Sequence, residues 1–218
     1  MTYSSPTKTV GDVQNQVKRV FGDESGVQLT NDDITRWINE AQVDIAKQNQ
    51  ILQTTATLPV TSGTATYSLT SITPRIDTLA SLLLDGRRVG NIPISQAEES
   101  ISLADPEGTE TGAPQFWYAW GGDITFWPKP NKNYTMTIRY NAQPTAVSTT
   151  AADVLAVPDE CFTDVCNYVL MRAYEMDENA EMMAVKQAEY STSVAERGET
   201  ERLAATMTYE TNITFELI

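Results

Sequence analysis

The sequence has no histidine, only two cysteines and few positive charges. Each shortage closes a class of function. Without histidine there is no Ser-His-Asp set and no His-based metal site. With 15 Lys and Arg against 29 Asp and Glu, the formal charge is −14 and the pI is near 4.3. A protein that grips nucleic acid neutralises phosphates with Lys and Arg, so this composition argues against one. It leaves open a surface past which DNA slides without sticking. Charge of this size also favours solubility. No stretch approaches the roughly 18 consecutive apolar residues of a membrane span. The opening MTYSSPTKTVG lacks the apolar core of a signal peptide. Cys161 and Cys166 lie five apart in a predicted helix. Five residues turn through about 500°, so the two thiols point to different sides. They are expected to be reduced packing residues of a chain made in a reducing cytosol.

Catalytic motifs are missing too. No serine sits in a Gly-x-Ser-x-Gly elbow. Gly121-Gly122 is not followed by the Lys-Ser/Thr of a phosphate loop. Asp177-Glu178-Asn179 lacks the spaced ligands and central glycine of an EF-hand loop. The many carboxylates read as solvated faces, although a glycosidase would need only two that face each other. No catalytic, cofactor-binding or metal-binding residue is assigned, and no cofactor is expected.

What the chain does have is centred on Gly112 to Tyr140, which holds three strand-like runs. In the first, Phe116, Tyr118 and Trp120 alternate with Trp117 and Ala119. Gly121-Gly122-Asp123 turns the chain, because glycine tolerates the positive φ of a tight hairpin. The second run is Ile124 to Trp127, ended by Pro128-Lys129-Pro130-Asn131. In the third, Tyr134, Met136, Ile138 and Tyr140 share one face and Thr135, Thr137 and Arg139 the other, which is period two. The expectation is an antiparallel meander. Trp117, Tyr118, Trp120 and Trp127 form its aromatic core, or else an aromatic platform for a protein or a sugar.

Helical periodicity flanks this region. Val10, Val13, Val17, Val20 and Phe21 predict a helix ended at Gly22. Thr30, with Asp33 three residues on, predicts the start of a helix over about 31–50 that buries Ile34, Trp37, Ile38, Ala41 and Ile45. From Thr54 the texture becomes strand-like, and Asp85-Gly86 signals a two-residue hairpin. Ser95 and Glu98 suggest a capping box for a short helix to about Ala104, followed by an acidic loop over 105–111. Pro158 opens a third long helix, with Phe162, Val165, Cys166, Val169, Leu170, Ala173 and Tyr174 on one stripe. A fourth helix is expected over 180–197, with Ala180, Met183, Ala184, Gln187 and Val194 inward and Gly198 ending it. In the last residues Ile213, Phe215 and Leu217 alternate with Thr214 and Glu216, an extended apolar tail that should dock on something.

The architecture predicted is α+β. A four-helix-type bundle is formed by residues 1–53 and 157–198, an antiparallel β domain over 54–156 is inserted in it, and 199–218 form a docking tail. The order of Gly112-Ala113-Pro114, Trp117-Tyr118, Ile124 to Pro130, Tyr134 to Tyr140, Pro144, Val157 to Glu160 and Val165 to Glu178 resembles the head-to-tail adaptor proteins of tailed bacteriophages. These are also called head completion or connector proteins, and they include the tail tubular protein A group. The resemblance spans roughly residues 8–197.

That resemblance implies a structural virion protein of the neck or tail. It implies a homo-oligomeric ring, twelve-fold, stacked beneath the portal protein and above tail or nozzle proteins. DNA would pass through its channel without specific binding, and no membrane is involved. The tail, through Tyr209, Ile213, Phe215 and Leu217, would reach the portal or a neighbouring subunit. The loop 105–111 and the tail are candidates for ordering only on assembly. Some members of this broad set are assigned cell-wall hydrolase activity, but no residue pattern here carries that over. The alternatives are a carboxylate-pair glycan hydrolase that uses the tryptophan-rich sheet as its sugar platform, and a carbohydrate-binding module.

Overall fold

The computed structural model describes residues 3–105 and 107–213. The protein is α+β. Among the described residues its helices are α1 (Val10–Phe21), α2 (Asn31–Asn49), α3 (Ile94–Ala104), α4 (Phe162–Met176) and α5 (Ala180–Ile213). Its strands are β1 (Gln53–Val60), β2 (Thr66–Ser68), β3 (Ile76–Leu84), β4 (Arg87–Arg88), β5 (Gly90–Asn91), β6 (Thr111–Gly112), β7 (Phe116–Trp120), β8 (Asp123–Trp127), β9 (Lys129–Pro130) and β10 (Tyr134–Ala142). The chain divides into two compact units, Met1–Ile51 with Pro144–Ile218, and the intervening Leu52–Gln143.

In the first unit, α4 packs against α1, α2 and α5, and α2 also against α5. The apolar stripes account for this. Val10, Val13 and Val17 of α1 are buried, as are Ile34, Trp37, Ile38, Ala41 and Ile45 of α2 and Val165, Cys166, Val169, Leu170, Ala173 and Tyr174 of α4. Val20 faces water instead. Helix starts are fixed by side chains. Thr9 and Asp12 form a reciprocal capping box on α1, and the Thr30 hydroxyl accepts the Asp33 N–H on α2.

The loop that precedes Pro158 closes over the start of α1. Val10 N–H donates to the Asp153 carbonyl at 2.8 Å and Gly11 N–H to the Ala151 carbonyl at 2.9 Å. These are amides that a helix cannot satisfy internally. The same segment holds α2, because the Asn39 side chain brackets Val147 and Gln42 accepts the Ala156 N–H. Residues before α1 are pinned at the other end of this loop, where Thr7 donates to the Asp159 carboxylate and Ser4 to that of Glu160.

Helix α5 departs from expectation twice. Ala180, Ala184 and Gln187 are exposed. The side chains turned inward include Tyr190 and Val194, both buried. Tyr190 donates to Asp44 at 2.5 Å, Ser193 to Asp164 at 2.5 Å and Arg197 to Asp164 at 2.7 Å. Several members of this stripe are polar, so a search for apolar spacing misses it. Nor does Gly198 end the helix, which continues to Ile213. A Cβ at Gly198 would lie 2.8 Å from Oδ1 of Asn49. The glycine is there for close approach to the end of α2, and inside a helix it costs only about 1 kcal/mol. The backbone is therefore helical, not extended, over 199–213.

The second unit contains a sheet ordered β1-β10-β3-β4 and another ordered β2-β8-β7-β5, with β6 and β9 as a separate pair. Pairing is antiparallel except for β5 with β7 and β6 with β9, which are parallel. The predicted meander is thus split. The first two runs pair as β7 and β8, but the third joins β1 and β3 in the other sheet. Pro128 and the β9 pairing separate them. Proline cannot extend a ladder, and Gly112 receives the Asn131 N–H at 3.1 Å instead. Both sheets feed one core. Ile124 and Phe126 of β8 share it with Met136, Ile138 and Tyr140 of β10, Leu82 and Leu84 of β3, and Trp117.

The Asp85-Gly86 hairpin forms as expected, with both residues at positive φ and Leu84 opposite Arg87. The start of α3 does not. Pro93 occupies its N-cap without a side-chain bond, and Ser95 lies inside the first turn. Pro93 itself has φ −59°, a helix-compatible value set by its ring. The chain enters and leaves this unit side by side, since Gln53 lies opposite Asn141 and Ala142 N–H donates to the Leu52 carbonyl at 2.8 Å.

Candidate functional site

The outer face of the β2-β8-β7-β5 sheet follows from strand alternation. Trp117, Ile124 and Phe126 point into the core, so Phe116, Tyr118 and Trp120 of β7 take the other face with Asp123, Thr125 and Trp127 of β8. Register sets the rows. Trp120 is opposite Asp123, Tyr118 opposite Thr125 and Phe116 opposite Trp127, with Thr66 of β2 beside Thr125. The last row is closed by a Phe116–Trp127 stack with centroids 5.2 Å apart. The middle row is tied by a Thr66–Thr125 hydroxyl contact of 3.1 Å.

Helix α3 packs on β7 and leaves an open groove of about 450 Å³ lined by Ile94, Glu98, Tyr118, Trp120, Asp123 and Thr125 together with Thr66. Trp120 is 71% exposed, which marks it as the most open large aromatic of the groove. Glu98 and Asp123 line it with no ion pair or hydrogen bond to their carboxylates among the described residues. No lysine or arginine is among the groove's lining residues. Glu98 lies exposed on α3.

A second concavity, about 740 Å³, lies on the helical unit between Arg36, Glu40, Asp44, Lys47 and Tyr168. Its charges are largely answered locally. Arg36 pairs with Asp33, Glu40 with Arg172, and Asp44 accepts from Tyr190. That unit holds most of the protein's negative charge, with 21 Asp and Glu against 9 Lys and Arg, while the β unit has 8 against 6.

The sequence-predicted aromatics therefore separate. Trp117 is core, with Nε1 donating to the Val89 carbonyl at 3.1 Å. Tyr118 and Trp120 line the groove, and Trp127 is half-buried beside Phe116. Tyr209 and Ile213 fall within α5, whereas Phe215 and Leu217 lie outside the described residues. Glu98, Asp123, Thr66 and Thr125 were missed. The glycine hairpin already sets Asp123 across from Trp120, so that row was open to inference; Glu98 arrives from a distant helix with no local signal. Among the described residues no cluster of His, Cys, Asp and Glu could hold a metal ion, and no helix is long and apolar enough to cross a membrane.

The family model described as SU10 adaptor protein matches residues 8–211. No curated protein sequence matches the chain.

Proposed function

The chain belongs to the SU10 adaptor protein family of phage head-to-tail adaptors, and from that premise we propose that it is the ring subunit joining the portal to the tail. Family membership makes it a structural virion component that works with other head and tail proteins. The finer reading is a twelve-fold ring in the virion neck, made in the host cytoplasm, with its helical unit packed as a four-helix-type bundle around the DNA exit channel. The family match over residues 8–211 carries this reading. The charge division supports it, since a wall with 21 carboxylates against 9 cations does not hold phosphates. No catalytic step is assigned.

The distal chain, through Tyr209, Ile213, Phe215 and Leu217, is proposed to dock on the portal or on a neighbouring subunit. Each large apolar side chain buried there is worth about 1.5–3 kcal/mol before ordering costs, and repetition around a ring multiplies the hold. Helix α5 reaches Ile213, so an added strand could begin only beyond it. The deciding experiment measures particle mass by light scattering, with negative-stain images, for the protein alone and with its portal. A ring, or a monomer that joins the portal ring at matching stoichiometry, is expected. A monomer that ignores the portal refutes the adaptor reading, and unchanged portal binding after removal of 208–218 refutes the tail's role.

A further inference from the structure

We propose that the groove under α3 receives the Arg87–Arg88 pair of a second copy of this chain, making a head-to-tail contact between β units. The inference rests on the ring reading and specifies one of its interfaces. Two carboxylates, Glu98 and Asp123, line one open groove that holds no cation of its own. A groove lined by two carboxylates and no cation attracts a positive group. The exposed ring of Trp120 and that of Tyr118 lie beside them. An arginine matches both features, because its planar guanidinium stacks on aromatic faces and forks onto carboxylates. A neutral sugar would use the rings and leave both charges uncompensated.

The same unit presents the matching group. Arg87 and Arg88 follow the Asp85-Gly86 turn as the two-residue strand β4, at the end of the order β1-β10-β3-β4. Both are exposed, and neither meets a carboxylate among the described residues. Lys132 nearby is already paired with Asp85 at 3.6 Å. Arg75 and Arg139 also lack a carboxylate partner among the described residues, but Arg75 stands alone just before β3 and Arg139 lies within the central strand β10 between Thr55 and Ser81. Each copy thus carries one acidic aromatic groove and one arginine edge on a single compact unit. A contact between two different patches is heterologous, and heterologous contacts close into rings when the rotation allows.

Disulfide trapping on the full chain tests this. Cys161 and Cys166 are buried, and burial pushes their thiols up to about 11 and about 12, so introduced thiols react alone. A chain with both Glu98→Cys and Arg88→Cys, oxidised at moderate protein concentration, should give a reducible ladder of trimers and larger species. Each single-cysteine variant should stop at dimers. Adding Asp123→Lys should weaken the ladder roughly tenfold, and adding Arg87→Glu to that should restore it. A correctly folded double-cysteine chain that stops at dimers overturns the proposal. So does a ladder indifferent to both charge reversals. Quenching of Trp120 by a chito-oligosaccharide, in a chain that forms no ladder on oxidation, would assign the groove to glycan and also overturn it. Wild-type rings on the portal alongside a dimer-limited double variant would remove this interface and keep the ring reading; failure of any ring to form with the portal would remove the ring reading itself.

Discussion

Replacing Arg197 by methionine should unfold the helical unit at markedly lower denaturant while leaving the β unit alone. The Arg197 guanidinium meets Asp164 at 2.7 Å, with side-chain exposures of 19% and 1%, and it also donates to the Glu160 carbonyl at 2.9 Å. Arg197→Met strands a fully buried carboxylate with only the Ser193 hydroxyl as donor. Removing one partner of a buried pair costs about 3–5 kcal/mol. Water that reaches the partly exposed arginine takes the expectation to the lower end, about 3 kcal/mol. With a urea dependence of about 2 kcal/mol per molar, the midpoint should fall by roughly 1.5 M. The helical far-UV signal and Trp37 report this unit, whereas Trp117, Trp120 and Trp127 report the other. The double change Asp164→Leu with Arg197→Met should recover most of the loss, because apolar replacement removes the stranded charge along with the pair. A midpoint shift under about 0.3 M, or a double variant no better than the single, would refute this account of the core.

Three further outcomes are expected. Asp23 accepts the Val27, Gln28 and Leu29 amides, and these bonds, that from Leu29 first, hold its carboxyl below the ordinary 3.8. Its contribution is therefore complete above that value and lost as pH falls through the lower folded one, so acid should release Leu29 amide protection from exchange, and Asp23→Asn should release it at neutral pH. Gly11→Ala places a Cβ 2.9 Å from the Ala151 carbonyl oxygen and 3.1 Å from its Cβ; crowding of about 1–3 kcal/mol should outweigh the helical gain and lower the melting temperature, and a stabilised variant would show that the loop yields freely. Iodoacetamide at about pH 8 should spare both cysteines until denaturant is added, and stoichiometric labelling of the folded chain would contradict their burial.

Much of the local structure was legible because its causes are local. Gly22 ends α1 at φ 90°, Thr30 caps α2, and the Asp85-Gly86 and Gly121-Gly122 turns fix two hairpins. What failed depends on partners far along the chain. Period two places Met136 and Ile138 on a buried face, but it does not say which strand lies beside them. The answer is β1 and β3, not β8. Gly198 resembles a helix end until Asn49, brought up by α2, explains it. The polar seam of α5 exists because Asp44 and Asp164 lie opposite it. The candidate groove was half legible: its rings stand in one alternating run, while Glu98 comes from another element.

The paired ends of the β unit have an evolutionary consequence. Gln53 and Asn141 face each other across β1 and β10, and antiparallel neighbours lie only about 5 Å apart. To the helical unit the whole insertion is therefore a bridge no wider than a tight turn, whose closure cost grows only slowly with what is spliced into it. A linker of about three residues could span such a gap. The β unit can accordingly be deleted, lengthened or exchanged for another with adjacent termini, letting one helical frame be refitted to different partners by a single recombination event.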